Sequence, residues 1–209
     1  MKLYGSLTSP YVRKVRVLLK EKGIPCELIL ENPWDEKTAI PNLNPLGKVP
    51  VLEFGKKQYL FDSALILEYL DAQQGEPLIP PISDMRWEVL RWHVLASGIV
   101  DAVVTRLLET RRPKAQQSLE AIKRQEDKVA RALEAASRTE KGPAYLVGSH
   151  FSMADLSLGV ALEYIDFRYE HDWRSQYPRL AHWLAGISTR GSFAETVPPG
   201  MERALDAPH

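Results

Sequence analysis

The sequence predicts an α/β domain followed by an all-helical domain. The α/β prediction depends on the order strand, helix, strand over residues 3–30, and the helical prediction depends on a periodicity that continues from Asp84 almost to the end of the chain. Between them lies GEPLIPPIS, residues 75–83, which has three prolines and no periodic pattern. Such a composition is typical of a linker, so we predict domains at 1–74 and 84–209.

Composition limits the function classes. Of 209 residues, 44% are apolar and 26% are charged, and the formal net charge is zero, as in an ordinary globular protein. Because Lys and Arg are not in excess, we expect no nucleic-acid partner. No stretch approaches the roughly 18 apolar residues of a membrane span, so we expect no membrane partner either. The single cysteine, Cys26, excludes an intramolecular disulfide and favours a reducing compartment, from which we predict a cytoplasmic protein.

The first element is a short apolar strand that passes through a Thr-Ser-Pro turn into an amphipathic helix, over residues 3–19. Ser9 is the predicted N-cap, Pro10 fits the first helical position, and Gly23 is predicted to end the helix. Apolar residues form one side of this helix, at Val12, Val15, Leu18 and Leu19. Basic residues are predicted on the other side, at Arg13, Lys14, Arg16 and Lys20. The amides of such a helix start, beside a serine hydroxyl, are a place for an anion.

The rest of the first domain is predicted as a second strand, a hairpin and a helix. The strand Cys26–Leu30 is one helix away from the first strand, which favours a right-handed crossover with parallel strands. Residues 31–44 are predicted as a loop with a helical turn near residues 35–40. Segments 51–54 and 58–62 are predicted as an antiparallel hairpin. Asp62 or Ser63 then caps a helix, and the domain ends near Gln74.

The second domain is predicted to contain four helices, at residues 85–112, 115–138, 153–169 and 179–190. Pro113 ends the first of them, and Gly142-Pro143 breaks the pattern after the second. The segment from Ser152 to Asp155 has the S-x-x-D form of a capping box in front of an apolar run. We predict that it stabilises the start of the third helix and has no catalytic role.

Four motifs occur in order along the chain: Ser9-Pro10-Tyr11, NPLGKVP at residues 44–50, Phe61-Asp62-Ser63, and Ser152-Met153-Ala154-Asp155. With the α/β-then-helical order, they resemble the glutathione S-transferase family over nearly the whole chain. The resemblance implies a thioredoxin-like N-terminal domain, glutathione as co-substrate, and a homodimer in which the thiol domain of one chain packs on the helical domain of the other. The Ser-Pro-aromatic form is similar to the serine-type classes rather than the tyrosine-type or cysteine-type classes.

The resemblance also implies a glutathione-binding set. Ser9 is expected to donate a hydrogen bond to the glutathione sulfur, although helix capping alone also explains a serine there. Val49-Pro50 is expected to be a cis bond, with the backbone N–H and C=O of Val49 presented to the cysteinyl unit. Asp62 and Ser63 are implied to bind the γ-glutamyl ammonium and carboxylate, in addition to capping a helix. Lys48, where many relatives have Gln, is expected either to reach the glycyl carboxylate or to be a solvated surface residue. The family usually has Glu at the position of Asp62.

Candidates for the second-substrate pocket come from the same resemblance. Tyr11 and Trp34 are expected from the thiol domain, and Ala102, Val103 and Arg106 from the long helix facing it.

Other chemically competent residues are expected to be structural. The histidines lack a metal-ligand spacing, so we predict no metal site; they are His93, His150, His171, His182 and His209. Cys26 is predicted as a small core residue of the second strand, and Trp87 and Trp92 as core or interface residues.

The implied function is glutathione transfer, in which the protein ionises the glutathione thiol at Ser9 and directs it at an electrophilic or peroxide substrate. An isomerase of the zeta type is a variant, although the Ser-Ser-Cys that marks that class is absent. An omega-type reductase requires cysteine where Ser9 stands. A non-enzymatic alternative is a regulator, because the fold also occurs in bacterial starvation-response proteins that bind other proteins. Competent residues at every glutathione position favour glutathione binding over this alternative.

Overall fold

The computed structural model describes residues 1–139 and 144–201, which divide into two compact units. The first unit is Met1–Ile79 together with Arg190–Gly200, and the second is Pro80–Thr189, resuming at Met201. The sequence-based boundaries, 1–74 and 84–209, differ from these units chiefly at residues 190–200, which pack in the first unit. The predicted break at Gly142-Pro143 and the last histidine, His209, lie outside the described residues.

The first unit has the predicted order of strands and helices. Its elements are β1 (Lys2–Gly5), α1 (Pro10–Glu21), β2 (Glu27–Leu30), α2 (Ile40–Leu43), β3 (Val51–Gly55), β4 (Gln58–Leu60) and α3 (Ser63–Asp71). The helical turn predicted near residues 35–40 lies too early in the chain, since α2 begins at Ile40. Pro41 accounts for this position, because proline is accepted in the first turn of a helix but not after it.

The strands form one mixed sheet in the order β2-β1-β3-β4. β1 and β2 are parallel, as the intervening helix predicts, and β3 pairs antiparallel with both β1 and β4. The helices α1 and α3 pack against each other. This arrangement confirms the thioredoxin-like fold of the first unit.

The second unit is helical. Its elements are α4 (Asp84–Thr110), a 3₁₀ turn (Lys114–Gln116), α5 (Leu119–Thr139), α6 (Met153–Arg168), α7 (Trp173–Gln176) and α8 (Pro178–Ser188). The four predicted helices are confirmed as α4, α5, α6 and α8, with shifted ends. The sequence prediction lacks α7, because a single turn is too short to show a helical period.

Helix α6 is the buried centre of the second unit. All side chains from Met153 to Ile165 are buried, and α4 packs along α6. The predicted capping box is confirmed, since Ser152 Oγ accepts from the Ala154 amide and Asp155 Oδ2 accepts from the Ser152 amide at 2.8 Å. Of the two tryptophans on α4, Trp92 is buried, whereas Trp87 is 63% exposed.

The prediction that the basic residues of α1 lie opposite its buried side is wrong for Arg13 and Lys14, which are 2% and 1% exposed. The short helix α9 (Gly191–Ala194) explains the burial of Arg13. The Arg13 guanidinium lies over the Phe193 ring and donates to the Phe193 carbonyl and the Thr196 hydroxyl, each at 3.5 Å. Lys14 Nζ lies 5.8 Å from the centroid of the Tyr11 ring. Helical periodicity does not report a partner 180 residues away.

A buried ion pair holds the end of the first unit. Lys22 Nζ lies 2.8 Å from Asp71 Oδ1, and both side chains are buried. The Asp71 carboxylate also accepts from the amides of Leu78 and Ile79, at 2.9 and 2.8 Å. The first part of the predicted linker is therefore packed within this unit.

Cys26 is half-buried and precedes β2, so the prediction of a core residue within that strand is wrong. The pairing of β2 with β1 starts one residue later, at Glu27. Burial raises the pKa of the Cys26 thiol, which keeps it protonated at neutral pH.

None of the helices in the described part of the chain has the length and apolar character needed to cross a membrane.

Candidate functional site

Three loops of the first unit meet at one edge of its sheet. β1 and β3 are antiparallel with Tyr4 opposite Val51, so the end of β1 lies beside the start of β3. β3 and β4 are antiparallel with Leu52 opposite Leu60, so the end of β4 lies at the same edge. The segments at this edge are Ser9 after β1, Val49-Pro50 before β3 and Asp62-Ser63 after β4. Strand register alone therefore brings together the segments that the sequence resemblance singled out.

Ser9 is the N-cap of α1, as predicted. Its backbone is extended, and its Oγ accepts from the Val12 amide at 3.3 Å. Pro10 occupies the first helical position, where the missing N–H removes a group that would otherwise be unpaired. The first turn of α1 contains no acidic residue, so no carboxylate there neutralises the positive end of the helix dipole. The half-buried Ser9 hydroxyl thus lies where an anion is favoured.

The Val49-Pro50 bond is cis, which confirms that part of the sequence prediction. Pro50 is buried directly before β3, Val49 is half-buried and Lys48 is exposed.

Asn44 holds the loop in front of this bond, a role that the sequence analysis missed. The residue is 2% exposed, its Nδ2 donates to the Lys48 carbonyl at 2.8 Å, and its Oδ1 accepts from the Leu46 amide at 3.0 Å. Gly47 turns the chain with a φ of +64° and donates its amide to the Asn44 carbonyl at 2.9 Å. The available signal was the N-P-x-G pattern, which indicates a turn but not the bond to Lys48.

At the third loop, Asp62 and not Ser63 is the N-cap of α3. Its Oδ1 accepts from the Ala64 amide at 2.7 Å, while the carboxylate as a whole is exposed. Ser63 is 4% exposed, and its hydroxyl donates to Asp62 Oδ1 at 3.3 Å. The peptide bond between Phe61 and Asp62 is also cis. The loop thus places an exposed carboxylate and the buried Ser63 hydroxyl at the start of α3, on the sheet edge.

The residues predicted for the second-substrate pocket belong to both units. In the first unit, Tyr11 is half-buried on α1 and Trp34 is 70% exposed in the loop after β2. In the second unit, Ala102 and Val103 are buried on α4. Arg106 donates through Nε to Glu126 at 2.9 Å, and its guanidinium lies 4.0 Å from the centroid of the Tyr169 ring. Their role as a pocket stays a prediction.

Within residues 1–139 and 144–201, no group of three or more His, Cys, Asp or Glu side chains is placed to hold a metal ion. His93, for example, is buried with Nδ1 2.7 Å from Ser157 Oγ, which is a structural hydrogen bond.

Known proteins match both units. Residues 3–78 match the model of the glutathione S-transferase N-terminal domain, and residues 119–186 match that of the C-terminal domain. The uncharacterized GST-like protein YibF of Escherichia coli (strain K12) is 37% identical over 208 residues, which cover 95% of this chain and 99% of that protein.

Solved structures agree with this assignment. A glutathione S-transferase from Methylobacillus flagellatus KT with glutathione bound is 40% identical, with a TM-score of 0.91 over 94% of this chain and 98% of that one. A glutathione S-transferase from Methylobacterium radiotolerans JCM 2831, in complex with glutathione sulfonate, is 38% identical, with a TM-score of 0.90 over 94% of each chain. The chain described here belongs to the glutathione S-transferase family.

Proposed function

We propose that this protein is a glutathione transferase that binds glutathione in its first unit, ionises the thiol at Ser9 and transfers it to an electrophilic or peroxide substrate. The observation that carries the proposal is the position of the Ser9 hydroxyl, a helix N-cap at the sheet edge that also holds the starts of β3 and α3. The glutathione and glutathione sulfonate bound to the two solved relatives support glutathione as the ligand.

The size of this edge suits a tripeptide. Neighbouring strands lie about 4.8 Å apart, so the ends of β1, β3 and β4 together span roughly 10 Å. Three extended residues also reach at most about 10 Å. In the proposed pose the sulfur lies at Ser9, and the cysteinyl backbone pairs with Val49 beside Pro50. The glycyl carboxylate extends toward Lys48, and the γ-glutamyl group lies at the start of α3.

The γ-glutamyl group carries both charges of an amino acid, and the start of α3 has a group for each. The exposed Asp62 carboxylate suits the ammonium. The Ser63 amide and hydroxyl suit the carboxylate, because helix N-termini bind anions. In this pose the Ser63 hydroxyl turns from Asp62 to the ligand.

Thiol activation at Ser9 is electrostatic. A free thiol has a pKa of about 8.5 and is mostly protonated at neutral pH. Because Ser9 Oγ accepts from the Val12 amide, its hydroxyl hydrogen is the part of the group that can be donated to sulfur. That hydrogen bond and the positive end of α1 both favour thiolate over thiol, so the thiol proton is released to water.

The bound thiolate then reacts as the nucleophile. With a carbon electrophile, a C–S bond forms and the leaving group departs with its electron pair. With a hydroperoxide, the thiolate sulfur attacks one oxygen and the O–O bond breaks, which gives glutathione sulfenic acid and an alkoxide that takes a proton from water to become an alcohol. A second glutathione thiol then converts the sulfenic acid to disulfide and water. Tyr11, Trp34, Ala102, Val103 and Arg106 stay the predicted contacts of the second substrate.

The test of the proposal is Ser9→Ala. A hydrogen bond to a charged group contributes about 1.5–3 kcal/mol, so the variant is expected to raise the pKa of the bound thiol by about 1 to 2 while keeping much of the glutathione affinity. The ultraviolet absorbance of the thiolate, titrated with pH at saturating glutathione, measures this change.

Ser83→Ala is the matched control. Ser83 caps α4 through its hydroxyl, which accepts from the Arg86 amide at 3.4 Å, so the variant loses an equivalent cap in the second unit. Its thiolate titration is expected to equal that of the unmodified protein. A titration unchanged by Ser9→Ala would remove Ser9 as the activating group.

Isothermal titration with glutathione tests binding itself. Heat of binding at millimolar ligand or below is expected, and its absence would favour the regulator alternative. By the family resemblance we also predict a homodimer, and a particle of 23.7 kDa in light scattering at micromolar concentration would contradict it.

A further inference from the structure

We propose that Asn44 is the positioning residue of the glutathione site, because its hold on the Lys48 carbonyl aims the Val49 amide at the ligand. The inference rests on the proposed function, since it names the residue that prepares one contact of that site.

The Asn44 side chain is held in one orientation. It is 2% exposed, and the Asn44 amide donates to the Ile40 carbonyl at 2.8 Å, which anchors the residue at the end of α2. The Leu46 amide is a donor and therefore faces Oδ1, while the Lys48 carbonyl is an acceptor and therefore faces Nδ2. Both ends of the side-chain amide are thus used by complementary groups of one loop.

The planarity of the peptide carries this constraint to the next residue. The cis bonds of the described chain are Val49-Pro50 and Phe61-Asp62, so the Lys48-Val49 peptide is trans. In a planar trans peptide the C=O and the N–H point in opposite directions. Because the Lys48 oxygen points at the buried Asn44, the Val49 N–H points away from it. That N–H is the backbone donor proposed for the cysteinyl unit of glutathione.

The residues around this peptide leave few other constraints on its orientation. Pro50 fixes the backbone after Val49 but has no N–H of its own. Gly47 has a positive φ and the wide conformational freedom of glycine. Without the Asn44 side chain, the backbone bond from Gly47 to the Asn44 carbonyl is the remaining described tie within the loop. The peptide would then sample several orientations, and glutathione would have to order it on binding.

The experiment compares Asn44→Asp with Asn42→Asp. Aspartate at position 44 keeps the acceptor for Leu46 but replaces the donor to the Lys48 carbonyl by a carboxylate oxygen. We expect the Kd for glutathione to rise about tenfold, the effect of losing one buried hydrogen bond. The pKa of the bound thiol at saturating glutathione is expected to stay unchanged, because Ser9 is untouched. Asn42 is exposed on α2, and the same substitution there is expected to leave the Kd unchanged.

An NMR measurement on the unmodified protein and on Asn44→Asp distinguishes a change in the orientation of the Val49 amide from a general loss of protein stability. The Val49 amide resonance is expected to shift on glutathione addition, and in Asn44→Asp this shift is expected to be smaller or lost. An unmodified protein that binds no glutathione overturns the proposed function.

If folded Asn44→Asp binds glutathione with an unchanged Kd, the role of Asn44 is overturned while the proposed function stands. The same conclusion follows if Asn42→Asp raises the Kd as much as Asn44→Asp does. If Asn44→Asp does not fold, the NMR measurement on the unmodified protein is the remaining test. A Val49 amide resonance that does not shift when glutathione binds overturns the inference, and a shift supports it.

Discussion

Ser9 and Ser152 both cap the start of a helix, α1 and α6, but their hydroxyls have different surroundings. Ser152 is 7% exposed, and its Oγ accepts from the Ala154 amide at 3.3 Å and donates to Asp155 Oδ2 at 2.8 Å. Ser9 is half-buried, and its Oγ accepts from the Val12 amide at 3.3 Å in a helix turn that has no carboxylate.

We infer from this contrast that a capping hydroxyl is structural when it is buried and both its donor and its acceptor capacity are used. At α6 the acceptor for the Ser152 hydroxyl is the Asp155 carboxylate. This carboxylate is fully buried and accepts from the Leu146 amide and from the amide and hydroxyl of Ser152, each at 2.8 Å. At α1 the hydroxyl hydrogen lies at an accessible sheet edge, which is why we propose chemistry there.

The largest effect is expected from Asp155→Ala. The change leaves two buried amides and one buried hydroxyl without their acceptor, so we expect the free energy of unfolding to fall by about 3–5 kcal/mol. Urea denaturation measures the loss. Asp172→Ala is the control, since the Asp172 carboxylate caps the short α7 at an exposed position and its removal is expected to lower the free energy of unfolding much less. Equal losses in the two variants would contradict the structural reading of the α6 cap.

The next effect compares the two serines directly. Ser152→Ala is expected to lower the free energy of unfolding by about 2 kcal/mol, and Ser9→Ala by about 1 kcal/mol, because the Ser152 hydroxyl has two buried partners. Urea denaturation gives both values. Only Ser9→Ala is expected to change the pKa of bound glutathione. A change in the pKa of the bound thiol in Ser152→Ala would contradict a purely structural role for the α6 cap.

A smaller change in the free energy of unfolding is expected at Glu21. Like Asp155, its carboxylate accepts several hydrogen bonds from protein groups. It accepts from Arg190 Nε at 2.8 Å, from Arg190 Nη2 at 2.7 Å and from the Ser192 hydroxyl, which ties α1 to the start of α9. If a carboxylate whose hydrogen bonds are all made within the protein is structural, Glu21→Gln lowers the free energy of unfolding by about 1 kcal/mol at pH 7 and leaves the glutathione Kd unchanged.

The Glu21 contribution also has a defined pH dependence. Burial raises the pKa of its carboxyl, but the hydrogen bonds from Arg190 and Ser192 outweigh burial and hold the pKa below the usual 4.5. Because the unfolded chain then takes up the proton at higher pH, the stabilisation is present above about pH 4.5 and is lost as the pH falls through the lower folded-state value.

Urea denaturation at pH 7 and pH 4 should therefore show that the free energies of unfolding of the unmodified protein and of Glu21→Gln differ less at pH 4 than at pH 7. Glu195→Gln is the control, since the pair between Glu195 and Lys20 is exposed and should contribute about 0.5 kcal/mol or less. A Glu21→Gln difference that grew in acid would contradict the assignment.

Both helix starts are predictable from the sequence, because a cap depends on residues within about three positions of each other. The S-x-x-D of Ser152 and the Ser9-Pro10 pair are such local signals. Arg13 and Lys14 are not predictable in this way. Their charge and spacing indicate a solvated side of α1, whereas the contacts of Arg13 come from Phe193 and Thr196, which are distant in sequence.

The sequence alone was enough to predict the order of the strands and of the longer helices, the two serine caps and, through family resemblance, the cis Val49-Pro50 bond, but it missed the four-residue helices α7 and α9. Three contacts could be found only from the folded chain: α9 buries Arg13, Asn44 donates to the Lys48 carbonyl, and the Asp71 carboxylate accepts from the amides of Leu78 and Ile79. The range of the interactions explains this division. Periodicity and capping act within a few residues, but the partner of a buried polar group is whichever group packing brings within about 3 Å, and its distance along the chain does not matter.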